Sequence, residues 1–127
     1  MRHLLIVAHG SRREASNDEV RRLAARIAGM PEAAEFATVQ AAFLELAEPS
    51  IPDGIQRCID AGATQVTVFP YFLSAGRHVV SDIPAEVAVK QQAYPHLDIR
   101  IAPWLGSAEA VAGLILQTAQ LPENTPS

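Results

Sequence analysis

The fold of this chain is decided by the stretch VFPYFLSAGRHVVSDIP at residues 68–84. It opens within the apolar run Val66–Phe69, which is typical of a buried strand and is ended by a proline. A loop containing Arg77 and His78 follows, and a helix is predicted to begin at about Ser81. Because α/β folds place their chemistry in loops that follow buried strands, this stretch predicts a strand, a functional loop and a helix in succession.

A second stretch near the N-terminus has the same arrangement. Leu4–Ala8 is apolar throughout, which is typical of a central parallel strand. His9, Gly10, Ser11 and Arg12 follow it at once. Two buried strands are therefore each followed by a loop that contains a histidine and an arginine.

The remaining predicted elements continue the alternation of strands and helices. A helix is predicted over residues 12–29, because Val20, Leu23, Ala24 and Ile27 recur at the helical period. The later elements are a strand Phe36–Leu44, a helix Pro49–Asp60 capped by Ser50, the strand Val66–Phe69, a helix from Ser81 to Ala93, a strand Asp98–Ala102, and a last helix capped by Ser107 with Val111, Leu114, Ile115 and Thr118 on one face. Residues 1–120 are expected to form one domain, and residues 121–127 a flexible tail.

This alternation predicts an α/β fold, a single four-stranded parallel sheet with right-handed crossovers and helices on both faces. The first and third strands are the most apolar and should be central, which gives the strand order 2-1-3-4 of a flavodoxin-like unit. Ligands bind where this order reverses, at the carboxyl ends of the first and third strands. His9 and His78 follow those two ends and Glu45 ends the second strand, whereas His3 and His96 lie toward the opposite edge.

Two imidazoles and a carboxylate at one crevice indicate a divalent-metal site with open positions. The spacing is long-range, however, and a histidine after a strand is also an ordinary loop or capping residue. Ser11, Arg12 and Arg77 are predicted at the same edge.

Composition excludes several classes of protein. Apolar residues make up 49% of the chain, as in globular domains. The formal net charge of −4 gives no indication of a surface that binds nucleic acid. No apolar run approaches the ~20 residues of a membrane span, and the N-terminal run is too short for a signal peptide, so we expect a cytoplasmic protein. The single cysteine, Cys58, excludes an internal disulfide and is expected in the core.

Motifs for other chemistries are missing. Gly10 stands where a phosphate loop could begin, but neither GxGxxG nor a Walker pattern is present. A histidine phosphatase would carry an arginine directly before its phospho-accepting histidine, and Ala8 stands there. Without GxSxG or a suitable cysteine, acyl transfer is poorly supported.

Three segments resemble a known family. AHGSR at Ala8–Arg12, AFLE at Ala42–Glu45 and PYFLSAGRHVVSDIP at Pro70–Pro84 resemble the class II tetrapyrrole chelatases. The chain is most similar to the small, single-domain sirohydrochlorin chelatases of the short CbiX type, and the resemblance covers nearly all of it.

The resemblance implies a cytoplasmic, ATP-independent enzyme that inserts cobalt or ferrous iron into sirohydrochlorin for cobalamin or sirohaem synthesis. It implies that His9 and His78 bind the metal, which is a substrate, and that no organic cofactor is needed. Longer members carry two such units, so a homodimer is implied here. A non-catalytic metal or tetrapyrrole carrier and a small metal-dependent hydrolase remain as alternatives.

Roles for individual residues follow from this chemistry. His9, His78 and Glu45 are the predicted catalytic residues, with Glu45 as proton acceptor or third metal ligand, or alternatively a solvated carboxylate. Arginines can hold the carboxylate arms of the macrocycle, and apolar side chains can support its ring, although ordinary surface and core roles remain open for both. The predicted substrate-binding residues are Ser11, Arg12, Phe72, Leu73, Gly76 and Arg77.

Overall fold

The computed structural model describes residues 1–123, with the side chains of His78 and Val80 outside that description. Strands and helices alternate along the chain as predicted. The elements are β1 (Arg2–Ala8), α1 (Glu14–Ala28), β2 (Phe36–Phe43), α2 (Ile51–Asp60), β3 (Gln65–Pro70), a π-helical turn (His78–Asp82), α3 (Ile83–Ala93), β4 (Asp98–Ile101) and α4 (Ala110–Ala119), with short 3₁₀ turns at Pro31–Ala33 and Leu105–Ser107. The predicted tail falls partly on residues 124–127, which lie outside the described residues.

The four strands form one parallel sheet in the order β2-β1-β3-β4, which confirms the predicted topology. β1 is central and pairs with β2 on one side and β3 on the other. Ala8 lies opposite Phe43, and Val7 lies opposite Pro70, so the carboxyl ends of three strands are level. This alignment brings the loops after β1, β2 and β3 to one edge.

The two faces of the sheet are packed differently. Alternate residues of the strands, among them Leu5 and Val68, point to a core shared with α2 and α3. The opposite residues, among them Ile6 and Phe43, pack against α1. Cys58 is buried in the first core and burial raises the pKa of its thiol to about 11, which confirms its expected structural role.

Several helix ends differ from their predicted positions. α1 begins at Glu14 rather than at residue 12, because the Ser11 hydroxyl accepts a hydrogen bond from the Arg13 N–H (3.0 Å) and holds a turn there. Ser50 caps α2 as predicted, by accepting from the Asp53 N–H at 3.2 Å. The helical segment after β3 begins at His78 with a π turn, and regular α3 starts only at Ile83.

The predicted cap of the last helix is wrong. Ser107 lies in a 3₁₀ turn, and its hydroxyl donates to the Trp104 carbonyl at 2.6 Å instead of accepting from the helix. α4 begins at Ala110, and none of its described residues is buried. Its apolar face is therefore present, as the periodicity predicted, but residues 1–123 do not cover it.

A glycine allows the loop after β1 to lie against the end of β2. Gly10 has φ +96°, and a Cβ added there would lie 1.7 Å from the carbonyl oxygen of Glu45. The Glu45 N–H donates to the His9 carbonyl at 3.0 Å, so the strand pairing continues past both strand ends. This close approach positions Glu45 beside His9.

The opposite edge of the sheet contains a buried histidine. His3 is 1% exposed, its Nδ1 lies 2.6 Å from Thr38 Oγ1, and its Nε2 has no hydrogen-bond partner among the described residues. Burial, and secondarily the N-terminal ammonium group, lowers the pKa of His3. Protonation of this side chain is therefore unfavourable in the folded protein.

We expect His3 to make folding stability depend on pH. Because its pKa is lower in the folded than in the unfolded state, the unfolded chain binds more protons, and stability should decrease as the pH falls below about 6.5. Urea unfolding between about pH 5 and about pH 7.5 should show this slope, and His3→Gln should reduce it. His96→Gln is the control because His96 is exposed, and an unchanged slope in His3→Gln would contradict the assignment.

Gly10→Ala and Gly62→Ala form a matched pair at the two glycines with positive φ. Gly62 has φ +92° and no atom within 4 Å of an added Cβ. Its substitution should therefore lower the free energy of unfolding only by the cost of a left-handed backbone with a Cβ, about 1–2 kcal/mol. Gly10→Ala should cost about 1–3 kcal/mol more, because the chain at Glu45 must move. Equal free energies of unfolding for the two variants would show that the contact is unimportant.

Candidate functional site

The loops after β1 and β2 meet in a pair of side chains. His9 Nε2 lies 2.9 Å from Glu45 Oε1, and the two side chains are 45% and 57% exposed. A carboxylate that contacts one ring nitrogen fixes the orientation of an imidazole and increases its strength as a ligand. The predicted neighbours His9 and Glu45 are thus brought together, and both are open to solvent.

The backbone just after this pair is strained. Leu46 has φ 65°, in the left-handed region that a branched apolar residue rarely adopts, and its side chain is 55% exposed. Such conformations cost about 1–3 kcal/mol and cluster at functional sites. The strain at Leu46 directs the chain away immediately after Glu45 has been placed beside His9.

A buried asparagine holds the loop that carries Ser11 and Arg12. Asn17 is 1% exposed, its Oδ1 accepts from the Ser11 N–H at 2.9 Å, and its Nδ2 donates to the Ser11 carbonyl at 2.8 Å. This bidentate contact fixes the chain directly after His9. The sequence analysis missed Asn17, because its side chain reaches back across a turn rather than along the helix face.

The loop after β3 ends in the π-helical turn His78–Asp82. The Tyr71 N–H donates to the Val7 carbonyl at 2.8 Å, so this loop starts beside the end of β1. The backbone therefore places His78 at the same edge as His9, while its side chain lies outside the described part. π-helical turns are rare and occur frequently at functional sites.

Two further carboxylates lie near the pair. A cavity of about 210 Å³ is lined by Leu44, Glu45, Asp82, Ala85 and Glu86. Three carboxylates at one cavity create a negative potential that attracts cations. Asp82 and Glu86 are four residues apart within the helix predicted from Ser81 to Ala93, and this spacing could have placed the two carboxylates on one face from the sequence.

The predicted substrate-binding residues at this edge differ in their exposure to solvent. Arg12, Gly76 and Arg77 are exposed. Phe72 is half-buried and packs against the core on the α2 and α3 face, whereas Leu73 is 72% exposed. The roles assigned to these residues and to Ser11 remain predictions.

The described side chains do not by themselves form a complete metal site. Among them, no group of three or more His, Cys, Asp and Glu residues is arranged to hold a metal ion, and the His78 side chain lies outside that set. His9 with Glu45 supplies one imidazole and one carboxylate, which are ligand types for late first-row divalent ions.

None of the helices in residues 1–123 is long and apolar enough to cross a bilayer.

Comparison with known proteins places these features in a family. The CbiX family model matches residues 3–120. The chain is 38% identical over 103 residues to a chloroplastic sirohydrochlorin ferrochelatase from Arabidopsis thaliana, with 81% of this chain and 44% of the relative covered. It spans about half the length, or less, of the curated relatives it matches from plants and bacilli.

Solved structures agree with this placement. A CbiX protein from Marinobacter aquaeolei VT8 superposes with a TM-score of 0.78 at 28% identity, covering 94% of this chain and 95% of that one. The sirohydrochlorin chelatase SirB from Bacillus subtilis subspecies spizizenii, in complex with cobalt, gives a TM-score of 0.78 at 31% identity, with 94% and 50% covered. Because the family model spans nearly all of the described fold and a curated relative exceeds 30% identity over most of it, the chain belongs to the CbiX family.

Proposed function

We propose that this protein is a sirohydrochlorin chelatase, an ATP-independent enzyme that inserts cobalt or ferrous iron into sirohydrochlorin for cobalamin or sirohaem biosynthesis. The observation that carries the proposal is the 2.9 Å contact between His9 and Glu45 at the edge where the π-helical turn begins at His78. Curated relatives named sirohydrochlorin ferrochelatase and sirohydrochlorin cobaltochelatase support it.

The metal is a substrate in this proposal, and His9 and His78 are its ligands. Insertion of M²⁺ into the macrocycle forms bonds to the ring nitrogens and releases two pyrrole protons. A site of two imidazoles leaves coordination positions open for those nitrogens and holds the ion loosely enough for transfer. The carboxylates of Asp82 and Glu86 would raise the local concentration of the cation beside this site.

Glu45 is assigned as the acceptor of a pyrrole proton. Its carboxylate is largely exposed, so it can pass the first proton to solvent and then accept the second, and it lies within hydrogen-bond reach of His9. The proton can therefore leave the substrate at the point where the metal enters it. No organic cofactor takes part in this scheme.

The arms and the ring of sirohydrochlorin are assigned to the surrounding loops. Arg12 and Arg77 are exposed, and their guanidinium groups would pair with the carboxylate arms. Leu73, which is 72% exposed, would support the ring together with Phe72. Ser11 and Gly76 complete the assigned set at the same edge.

Two copies of the chain are proposed to act together in the cytoplasm. The solved SirB structures are about twice as long as this chain, since the chain covers 48% and 50% of them. A unit of this size offers limited surface to enclose a macrocycle alone. A second copy would supply the missing surface.

Loss of metal binding should identify the ligands. His9→Ala and His78→Ala should each remove most of the cobalt affinity, because each takes one of two imidazoles from the site. Titration of cobalt followed by its visible absorption measures this directly. His96→Ala is the matched control, since His96 is exposed at the opposite edge of the sheet, and an equal loss in that variant would refute the assignment.

Glu45→Gln should separate catalysis from binding. The amide keeps the shape of the side chain and removes its basicity, so metallation should slow at least about tenfold, given that a positioned general base contributes ~10²–10⁴-fold. Cobalt affinity should change much less. The rate is measured from the absorbance of sirohydrochlorin in large excess over the protein.

The same measurement distinguishes an enzyme from a carrier. Continued turnover is expected of a chelatase, whereas a stoichiometric burst with no further product would identify a carrier. An unchanged rate in Glu45→Gln would remove the base assignment and leave the enzyme assignment intact. Hydrolysis of phosphate or ester substrates in place of metallation would overturn the proposal.

A further inference from the structure

Arg21 joins helix α1 to the loop 44–50, which carries Glu45. Its Nη2 donates to the Glu48 carbonyl at 2.8 Å, and its guanidinium carbon lies 5.1 Å from the centre of the Phe43 ring. Phe43 is fully buried at the end of β2, just before this loop, and Glu48 lies near its far end. Arg21 therefore contacts the chain on both sides of the Glu45 carboxylate.

The loop 44–50 is closed at its ends and strained within. The Phe43 N–H donates to the Pro49 carbonyl at 2.9 Å, and Leu46 has φ 65°. A strained backbone persists only where the surrounding structure holds it. The bond from Arg21 reaches the loop shortly after Leu46, so it is placed to hold this turn.

Packing alone does not fill the space between α1 and the loop. A cavity of about 310 Å³ is lined by Ala25 of α1 and by Glu48 and Pro49 of the loop, with Arg21 beside them. An unfilled space gives its lining no dispersion contacts on that side. The guanidinium group bridges the helix and the loop next to this cavity.

Two carboxylates on α1 fix the orientation of Arg21. Its Nη1 donates to Glu14 and, at 2.9 Å, to Asp18 Oδ1. Charge-assisted hydrogen bonds of this kind are stronger than bonds between neutral groups. The bond from Arg21, and secondarily that from Asn17, lowers the pKa of the Glu14 carboxyl, which favours the ionised form that Arg21 requires.

The Glu14 carboxylate also contacts the side chain that holds the loop after β1. Asn17 Nδ2 lies 3.3 Å from Glu14 Oε2, and Asn17 binds both backbone groups of Ser11. Ser11 lies in the loop that begins at His9. One face of α1 therefore contacts both the loop of His9 and the loop of Glu45.

The contacts of Arg21 distinguish it from Arg12 and Arg77. Those two arginines are exposed, whereas the Arg21 side chain is 35% exposed and both of its Nη atoms are bound within the protein. A guanidinium group has five N–H donors in a fixed arrangement. With its donors engaged in this way, Arg21 is suited to hold the protein rather than the carboxylate arms of a substrate.

We propose that Arg21 is a positioning residue, which holds the loop 44–50 on α1 so that the Glu45 carboxylate stays beside His9. The inference rests on the proposed function, in which Glu45 accepts the pyrrole protons. Arg21 itself touches no reacting atom. Because a general base acts only within hydrogen-bond reach of its proton, displacement of this loop slows proton transfer without removing a group that binds the substrate.

Arg21→Ala should lower kcat for metallation and leave KM for sirohydrochlorin unchanged. A displacement of about 1 Å at a reacting group can cost ~10²-fold, so we expect kcat to fall at least about tenfold. Arg22→Ala is the matched control, because Arg22 is an exposed arginine on the same helix, and it should leave both constants unchanged. An unchanged kcat in Arg21→Ala, or a KM that rises in its place, would overturn the proposal.

The Glu45→Gln background shows whether Arg21 acts through Glu45. No carboxylate is left to position in that background, so adding Arg21→Ala should lower kcat further by less than about twofold. A general effect on folding would lower kcat equally in both backgrounds. Equal losses would therefore overturn the positioning role.

Amide hydrogen exchange tests the position of the loop without any reaction. The Glu45 N–H donates to the His9 carbonyl at 3.0 Å. In Arg21→Ala this amide should exchange at least about tenfold faster, while the amide of Leu5 in the centre of the sheet keeps its rate, because a local opening leaves the core closed. Faster exchange of both amides to the same extent, or of neither, would contradict the proposal.

Arg21→Gln is a second variant, for use if Arg21→Ala does not fold. It keeps a polar side chain that favours helix but lacks the charge and the second Nη atom, so the same changes in kcat and in exchange are expected. Absence of metallation by the unmodified protein would overturn the proposed function. The exchange rate of the Glu45 amide would then decide by itself whether Arg21 holds the loop.

Discussion

The site depends on parallel pairing of β1 with both of its neighbours. Because Ala8 lies opposite Phe43 and Val7 opposite Pro70, three strands end at one level and their loops share one edge. The backbone bond between Glu45 and His9 extends that pairing by one step into the loops. The side-chain contact between the same two residues follows from this backbone geometry, and Gly10 provides the space for it.

The two faces of the sheet differ in how completely they are covered. The face under α2 and α3 carries fully buried side chains, including Leu5, Ile55 and Ile83. On the other face α1 packs closely, while α4 lies beside an open groove. Among residues 1–123, the buried apolar side chains therefore belong to the first face and to the α1 contact, and α4 contributes none.

Local hydrogen bonds account for most of the differences between predicted and observed helix ends. Ser107 has the residue type of a cap, but its hydroxyl bonds the Trp104 carbonyl within its own turn. Asn17 sits within α1 yet bonds both backbone groups of Ser11. Short polar side chains have several backbone partners within reach, and the sequence does not indicate which of them is chosen.

The sequence alone was enough to predict the strand order and the central position of β1 and β3. It also predicted the shared edge of His9, Glu45 and His78. These features follow from hydrophobic periodicity and from the positions of glycine and proline, which are local signals along the chain. Only the tertiary structure placed Glu45 Oε1 at 2.9 Å from His9 Nε2 and added Asp82 and Glu86 to the same cavity, because these distances depend on how separate loops pack. It also decided that the described part of the chain leaves α4 exposed. Periodicity reveals that a helix face is apolar, but what covers that face depends on segments distant in the chain or on another molecule.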